Sequence, residues 1–413
     1  MAESAGVLVV GAGAAGLMAA ITAARAGAPV AMVDGARTLG AKILVSGGGR
    51  CNVTHDHVDE DAFAGSTPPA IRRVLRRFSV EDAVAFFAEQ GVRLKREETG
   101  KLFPVGDRAR TVLDALLAAA GKAGVRLRHP WRVVAVDRTH SGFAARSESG
   151  ERLEADRVVI ATGGRSLPRT GSDGLGYELV RRLGHTITPR VIPALVPLTL
   201  PRDHPLCSLP GLSAEARVSV LSANGRRRAT FEGSLLCAHF GLSGPVVLDV
   251  SRHYTLARLD DPGTRLSIDW LPTVGEAAVE EGLRAAGPKG PSRVLERWIP
   301  DRLARVLCGL AGVDPAQPGH RLTREERRSL VRAAKALEVT VTGDRGFNFA
   351  EVTAGGVPLA ELRLHTLESR VCPGLHLCGE ICDVDGRIGG YNFQWAWASG
   401  SVAGTGAATG LSA

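Results

Sequence analysis

The first residues that could do chemistry form a glycine turn near the N-terminus. Gly11, Gly13 and Gly16 give a G-x-G-x-x-G sequence inside an almost uncharged run. In such a turn the first glycine allows the tight bend, the second leaves room for a pyrophosphate, and the third lets a helix pack closely on a strand. The phosphates then meet the free N–H groups and the positive dipole end of that helix. The spacing therefore predicts dinucleotide binding.

Two strands and a helix must hold this turn in place. The uncharged run Val7 to Val10 predicts a buried parallel strand, and Pro29 to Val33 predicts a second one. Between them, Leu17 to Ala26 predicts a helix that Gly27 closes. Asp34 ends the second strand, at close to the roughly 20-residue separation expected of a carboxylate that bonds an adenosine ribose.

The composition of the whole chain is that of a globular protein. Its 413 residues exceed the usual length of one domain, and 44% hydrophobic content is ordinary. Seven cysteines, an odd number without a secretory signal, predict reduced thiols and a cytoplasmic location. A signal peptide or membrane anchor is not expected, because Glu3 stands where basic residues belong and glycines interrupt the run. The charge of +8 comes from arginines throughout the chain, which favours a solvated surface over nucleic-acid binding.

A second unusual stretch has three consecutive glycines, Gly47 to Gly49, followed by a cation, a thiol and an amide. Adjacent glycines cost backbone entropy, which favours an irregular loop that a ligand approaches closely. Arg50 carries a fork that matches phosphate, and Asn52 can donate and accept, so we expect both to hold the cofactor. Arg50 beside Cys51 would lower the pKa of that thiol, although tight packing against the ligand explains a small residue there equally well.

The motif SGGGRCNVT, taken with the glycine turn, resembles the BaiN-like flavoproteins, also known as the aminoacetone-oxidase family of FAD-binding enzymes. Further segments that are similar to family signatures are Glu98 to Pro104, Ala161 to Gly164, Thr170 to Ser172 and Gly379 to Gly400. The resemblance implies an FAD-dependent oxidoreductase. Its flavin would exchange a hydride with a small organic substrate, either an amine or a C–C or C=C unit next to a carbonyl.

The fold that this resemblance implies is α/β, a Rossmann-like FAD-binding domain of the two-dinucleotide class with insertions. The FAD-binding domain is expected at residues 1–190 and 341–413, interrupted by the insertions. Prolines and short alternating stretches predict a β subdomain at 191–274, with a return strand near 338–350. Helical spacing, notably over Val294 to Leu310 and Arg324 to Leu337, predicts a small helical cap at 275–337. The substrate is expected to enter between the flavin ring and the insert.

The glycine turn, the glycine loop and the resemblance together give a set of cofactor-binding residues. The resemblance implies that Val133 contacts adenine through its backbone, that Glu380 and Asp385 bond ribityl hydroxyls, and that the last helix begins beside an anionic flavin oxygen. No catalytic acid or base can be assigned, and the candidates are Cys51, His239 and Tyr391. The predicted cofactor-binding residues are Gly11, Gly13, Ala14, Ala15, Gly16, Asp34, Lys42, Ser46, Gly47, Gly49, Arg50, Cys51, Asn52, Val133, Ala161, Thr162, Gly163, Gly379, Glu380, Asp385, Gly390, Tyr391 and Asn392.

Several chemistries have no support in the sequence. H-E-x-x-H, C-x-x-C and G-x-S-x-G do not occur, and the spacing of Cys372, Cys378 and Cys382 fits no standard zinc pattern, so no metal is expected. There is only one G-x-G-x-x-G. NAD(P)H would therefore act as a transient donor, or the substrate itself would reduce the flavin, and we favour this dehydrogenase or oxidase direction slightly.

Three alternatives stay open: an FAD-dependent tRNA-modifying protein, an NAD(P)H-dependent ene-reductase, and a flavin-binding scaffold without turnover. The sequence does not specify the oligomeric state.

Overall fold

The computed structural model describes residues 3–411. They divide into two compact units, the first reaching Pro193 and resuming at Ala350, and the second comprising Ala194–Phe349. The first unit is thus discontinuous in sequence. Within the second unit, the division into a β subdomain and a helical cap stays a prediction.

The described residues form a mixture of helices and strands, with runs of consecutive strands and of consecutive helices. The helices are α1 Ala14–Arg25, α2 Ala41–Gly49, α3 Pro68–Leu75, α4 Val80–Glu89, α5 Ala109–Lys122, α6 Leu175–Arg182, α7 Pro245–Asp260, α8 Glu276–Arg284, α9 Pro291–Leu295, α10 Asp301–Leu310, α11 Arg324–Lys335 and α12 Tyr391–Ala408. The strands are β1 Glu3–Val10, β2 Val30–Val33, β3 Thr54–His55, β4 Phe63–Gly65, β5 Leu94–Arg96, β6 Lys101–Pro104, β7 Arg126–Arg128, β8 Val133–Arg138, β9 Phe143–Ser147, β10 Arg152–Ile160, β11 Ile192–Ala194, β12 Leu198–Thr199, β13 Ser213–Leu221, β14 Arg227–Ala238, β15 Gly241–Ser243, β16 Arg265–Asp269, β17 Leu337–Val339, β18 Gly343–Asp344, β19 Val352–Ala354, β20 Leu362–Arg363, β21 Glu368–Ser369, β22 Leu375–Leu377 and β23 Val384–Gly386. Among these helices, none is both long and apolar enough to cross a membrane.

The first unit is built on a nine-stranded sheet with a parallel centre in the order β22-β10-β1-β2-β7. Val7 pairs with Val30 on one side and with Arg157 on the other, so β1 is the central strand. Residues 7–10 are buried, as both faces of a parallel sheet require. This order is that of the doubly wound dinucleotide fold. The predicted Rossmann-like α/β fold is confirmed.

The helix after the glycine turn starts three residues earlier than we predicted, at Ala14 rather than Leu17. The Leu17 N–H donates to the carbonyl of Gly13 at 2.9 Å, so Gly13 already caps the helix and Gly16 lies in its first turn. Gly27 closes the helix as predicted, with a φ of +93° and an N–H bond to the Ala24 carbonyl at 3.0 Å.

The glycine loop follows a short helix that the sequence did not predict. The helical segment begins at Ala41, and the backbone leaves helical geometry at Ser46. Gly47 and Gly48 have φ values of +55° and +68°, and Gly49 has +85°. Consecutive left-handed residues are strained for any residue but glycine, so the predicted irregular loop is confirmed at these positions.

The second unit contains a seven-stranded sheet in the order β17-β16-β13-β14-β15-β12-β18, with helices α7 to α11. Val218 pairs with Phe231 and with Ile268, both antiparallel. Residues 341–349 belong to this unit, and β18 within them pairs with β12.

Two helical predictions in the second unit need correction. The stretch Val294–Leu310 is two helices, because Pro300 lies between them and caps the second one. The stretch Arg324–Leu337 ends as a helix at Lys335, because Leu337 begins a strand that pairs with β16.

The first and last helices of the first unit pack through small residues. A Cβ atom at Gly400 would lie 2.4 Å from the carbonyl oxygen of Ala15, and one at Gly404 would lie 2.2 Å from that of Ala19. Real Cβ atoms do not approach backbone oxygens this closely, so the two helices can be this near only because these positions are glycines. The contact joins α1 directly to α12.

Substitution of Gly404 by alanine should destabilise the protein. The added methyl group pushes two helix backbones apart, which typically costs about 1–3 kcal/mol. Gly121→Ala is the matched control, because Gly121 lies in α5 with no atom within 4 Å of its Cβ position, and alanine there improves helix propensity. Thermal unfolding should show a lower Tm for Gly404→Ala and an unchanged or higher Tm for Gly121→Ala. Equal Tm values would contradict the tight helix contact.

Candidate functional site

A cavity opens in the first unit where the central parallel strands end. It encloses about 1330 Å³, counted out to its open mouth. The carboxyl ends of parallel strands are where open α/β sheets bind ligands. Of the predicted cofactor-binding residues, those that line the cavity are Gly11, Gly13, Ala14, Ala15, Asp34, Lys42, Val133, Ala161, Thr162, Gly163, Gly379, Glu380 and Asn392.

The three glycines of the turn have different surroundings. A Cβ at Gly11 would lie 2.5 Å from the Ala161 carbonyl oxygen, and one at Gly16 would lie 1.8 Å from the Gly11 carbonyl oxygen. No protein atom lies within 4 Å of a Cβ placed at Gly13. Gly11 and Gly16 are therefore required by backbone packing, whereas Gly13 faces open space at the start of α1, as a phosphate-binding glycine must.

Asp34 ties the end of β2 to the glycine turn. Its Oδ2 accepts from the N–H of Ala12 at 2.6 Å, and its Oδ1 accepts from the N–H of Ala36 at 2.7 Å. The carboxylate lines the cavity. It thus shapes the turn as well as facing the ligand space, and its predicted bond to a ribose stays a prediction.

Three residues of the cavity lining carry a buried polar side-chain atom that has no hydrogen-bond partner within residues 3–411: Trp131 (Nε1), Thr162 (Oγ1) and Ser172 (Oγ). An unsatisfied buried polar group costs about 1–3 kcal/mol. Thr162 Oγ1 and Ser172 Oγ would lie 1.9 Å and 2.6 Å from Cβ atoms placed at Gly176 and Gly163, so both pack against glycine backbone beside the cavity. The sequence pointed to Thr162 and Ser172 through family signatures, but Trp131 carried no recognisable signal.

Glu380 is held by donors from three segments. Its Oε1 accepts from the Ser166 hydroxyl at 2.8 Å and from the Thr353 N–H at 2.9 Å, and its Oε2 pairs with the Lys42 ammonium. The Ser166 and Thr353 contacts were not predicted, because neither residue is near Glu380 in the sequence. This network fixes the carboxylate at the cavity wall.

Glu351 also lines the cavity, and sequence reasoning missed it. Many protein atoms lie around its carboxyl group, and the residue is open to solvent on the side of the cavity. Burial raises the pKa of Glu351, and the charges of Lys42 and Lys101 oppose this. The only signal in the sequence was its position just before the pair Gly355-Gly356.

The remaining predicted cofactor-binding residues lie outside the cavity lining: Gly16, Ser46, Gly47, Gly49, Arg50, Cys51, Asn52, Asp385, Gly390 and Tyr391. The Arg50 guanidinium donates to Glu97 at 2.6 Å and lies 4.0 Å from the centre of the Phe103 ring. A Cβ at Gly390 would lie 2.5 Å from the Thr54 carbonyl carbon. The glycine loop therefore leads into a strand that supports the start of α12, and its predicted contacts with the cofactor stay predictions.

Two of the catalytic candidates, Tyr391 and His239, contact other aromatic side chains. Tyr391 stacks on His55 with ring centres 4.9 Å apart. His239 is exposed in the turn between β14 and β15, with its ring 5.1 Å from Phe240. His239 lies in the second unit, and neither Tyr391 nor His239 is part of the cavity lining.

The pKa of Cys51 moves in the opposite direction to our prediction. Burial raises the pKa of this thiol to about 12, while a hydrogen bond with Ser46 opposes the shift only weakly. Arg50 does not lower the pKa, because its guanidinium points to Glu97 instead. All seven cysteines are free thiols. Cys51 is thus a packing residue rather than a ready nucleophile.

Alkylation kinetics should show directly that the Cys51 thiol is buried. Since its thiol is buried and protonated at pH 8, Cys51 should react with iodoacetamide only after unfolding in urea. Cys207 is half-buried and serves as the internal comparison. Mass spectrometry of the peptides measures both rates in one sample. Modification of Cys51 in the folded protein as fast as that of Cys207 would contradict its assignment as a buried thiol.

Gly13→Val should abolish dinucleotide retention without unfolding the protein. The valine side chain meets no protein atom but fills the space expected for the pyrophosphate. Gly106→Val is the control, because Gly106 also has free space around its Cβ position and lies outside the cavity lining. Bound flavin, measured from the visible spectrum, should be lost in Gly13→Val only, while both Tm values without cofactor stay near that of the parent. Full flavin occupancy in Gly13→Val would show that the turn does not hold the phosphates.

Two solved structures share the fold along almost the whole chain. Escherichia coli quinol fumarate reductase FrdA matches with a TM-score of 0.50 and 17% identity, over 99% of this chain and 70% of that chain. Mycobacterium smegmatis Sdh1 matches with a TM-score of 0.50 and 17% identity, over 98% and 68%. At this identity the likeness concerns the fold alone.

Closer relatives are found among curated proteins. A 3-dehydro-bile acid delta(4,6)-reductase of Clostridium scindens is 36% identical over 407 residues, which is 97% of this chain and 98% of the relative. A ribosomal RNA dihydrouridine synthase of Escherichia coli is 35% identical over 394 residues, 95% of each. The family described as HI0933-like protein Rossmann domain matches residues 5–406. Together with the cavity at the glycine turn, these matches mean that the chain belongs to the HI0933-like Rossmann family of BaiN-like, FAD-dependent oxidoreductases.

Proposed function

We propose that this protein is an FAD-dependent reductase that adds hydrogen to a C=C bond conjugated with a carbonyl group. The proposal rests on the reactions for which the curated relatives are named. The two kinds of curated relative are named for different substrates, a bile acid and ribosomal RNA, at 36% and 35% identity. Both names describe the saturation of such a bond, in a dienone of a steroid or in the uracil ring. The reaction is therefore a better inference than either substrate.

The cavity offers a suitable place for each part of FAD. The pyrophosphate would lie at Gly13 and the start of α1, the ribose at Asp34, and the adenine along the backbone at Val133. Glu380 would accept from ribityl hydroxyls, and the start of α12 at Asn392 would favour negative charge on the flavin ring. When bound, the flavin supplies hydride transfer. The protein supplies binding, orientation and electrostatics.

Positive charge near the cavity suits a carbonyl substrate. Lys42 lines the cavity as the ion-pair partner of Glu380, and Lys101 lies near enough to Glu351 to influence its pKa. Adding hydride to a conjugated C=C bond places negative charge on the carbonyl oxygen, and fixed positive charge stabilises it. We infer that this end of the cavity receives the substrate.

The electron donor is proposed to be NAD(P)H, bound transiently. The chain has a single G-x-G-x-x-G, and we expect the nicotinamide to bind without a second nucleotide fold. The dehydrogenase or oxidase direction, which we slightly favoured from the sequence, is the competing proposal. A cytoplasmic location fits an NAD(P)H-dependent enzyme with unpaired thiols.

Anaerobic stopped-flow spectroscopy tests the direction. The FAD-loaded protein is mixed with NADH or NADPH, and fast, saturable bleaching of the flavin is expected. The bleached protein should then be reoxidised by a 4,6-dien-3-one steroid or by uridine-containing RNA. Bleaching by saturated ketones or amines alone, with no response to a nicotinamide cofactor, would instead support a dehydrogenase or oxidase.

Reduction of uracil in RNA is the second candidate, and the ribosomal RNA relatives favour it despite our prediction that nucleic acid is unlikely. The exposed arginines in and after α3 are the feature that would suit it: Arg72, Arg73, Arg76 and Arg77. Arg72 pairs with Glu60, so the other three are the ones available to phosphate.

Ribosomal RNA binding at several salt concentrations decides between the substrates. If RNA is the substrate, log Kd should change steeply with log salt, and replacing Arg73, Arg76 and Arg77 by glutamine should flatten that slope. Substitution of the exposed Arg324, Arg328 and Arg332 in α11 by glutamine is the control for the loss of three positive charges. Absence of salt-dependent binding would leave the small enone as the substrate.

A further inference from the structure

Two glutamates that line the cavity, Glu351 and Glu380, share one framework. Glu351 directly precedes β19, and Glu380 follows β22. The Ser166 hydroxyl lies 2.8 Å from Glu380 Oε1 and 3.3 Å from the main-chain carbonyl oxygen of Glu351. Both side chains line the same cavity. The hydrogen bonds and ion pairs of the two carboxyl groups are nevertheless very different.

Glu380 is engaged on both oxygens. Its acceptors are occupied by the Ser166 hydroxyl, the Thr353 N–H and the Lys42 ammonium. Glu351 differs, because within residues 3–411 no donor hydrogen-bonds to its carboxyl group and no cation lies in ion-pair distance. Protein atoms surround it, and its open side faces the cavity. One carboxylate is therefore fixed in place, and the other is free to exchange a proton with whatever occupies the cavity.

The surroundings of Glu351 shift its pKa upward. Burial raises its pKa, while the nearby charges Lys42 and Lys101 lower it and only partly offset the burial. Glu380 is the other carboxylate on this wall, and its charge is compensated by Lys42. A raised pKa means that the proton is retained to a higher pH and is lost as the pH rises through that value. A carboxylic acid whose pKa is raised is better matched to proton donation than an ordinary glutamate.

Other acids near the cavity fit this role less well. The Cys51 thiol is buried outside the cavity lining. Tyr177 donates its hydroxyl to the Gly355 carbonyl at 3.1 Å, and burial raises its pKa above the normal range for tyrosine. Among the described residues that line the cavity, Glu351 is an acidic group whose carboxyl accepts no hydrogen bond.

We propose that Glu351 is the proton donor of the proposed reductase, a role that rests on the proposed function. Its carboxyl group gives a proton to the substrate carbon next to the carbonyl, and the reduced flavin supplies the hydride to the other carbon of the C=C bond. Two C–H bonds form, the π bond breaks, and the flavin loses two electrons. Glu351 is left as a carboxylate, which regains its proton from water that enters through the cavity mouth.

The test compares Glu351→Gln with Glu148→Gln, a control at an exposed glutamate outside the cavity lining. The flavin is reduced with dithionite without oxygen and then mixed with a 4,6-dien-3-one steroid or with uridine-containing RNA. Reoxidation by whichever probe serves the parent should slow on the order of 10²- to 10⁴-fold in Glu351→Gln, and not in the control. FAD content and reoxidation by oxygen should stay unchanged in both. Glu351→Asp should recover part of the rate.

Two further readouts separate proton donation from a structural role. The parent rate should fall as the pH rises through the pKa of Glu351, and this dependence should vanish in Glu351→Gln. Infrared titration of the flavin-free protein should show a protonated carboxyl band that persists above the normal glutamate range and is absent from Glu351→Gln. Neither a packing defect nor a lost cofactor contact would remove that band.

The possible outcomes distinguish failure of the Glu351 inference from failure of the proposed function. If the parent reacts and Glu351→Gln reacts equally fast, the inference is wrong and the proposed function stands. Loss of FAD from Glu351→Gln overturns the inference and assigns the residue to cofactor binding. A parent that reacts with neither probe overturns the proposed function and the inference with it.

Discussion

The close approach of main-chain segments at the glycine turn is the contact on which the rest of the structure depends. A Cβ atom placed at Gly16 would lie 1.8 Å from the Gly11 carbonyl oxygen, and a Cβ atom placed at Gly400 would lie 2.4 Å from the Ala15 carbonyl oxygen. Strand β1, helix α1 and helix α12 thus meet without intervening side chains. The start of α1 is thereby held at the end of the sheet, where its free N–H groups face the cavity.

Around this contact the chain brings together segments that are far apart in sequence. Lys42 from the second helix, Ser166 from a loop and Thr353 from β19 all reach Glu380. Because these bonds join the N-terminal and C-terminal parts of the first unit, the insertion of residues 194–349 does not interrupt the site. The same arrangement leaves the Glu351 side chain at the cavity surface.

The local features of the site could be predicted from the sequence, and the long-range ones could not. The glycine turn, Asp34 and the irregular Gly47 loop follow from backbone rules that act within a few residues. Trp131 carries no local pattern and Glu351 only its position before a glycine pair, because their surroundings arise from what the fold places beside them. At Cys51 the local sequence predicted a property that the fold then changed. Its neighbour in sequence, Arg50, turns to Glu97, so burial decides the pKa of the thiol.

The central claim is that the cavity at the glycine turn holds FAD, and a direct measurement is the flavin content of the purified protein. The protein is denatured, and the released cofactor is separated and counted against the chain. One FAD per chain, released without breaking a covalent bond, is the expected result. A colourless protein that binds no FAD when the cofactor is supplied would contradict the claim.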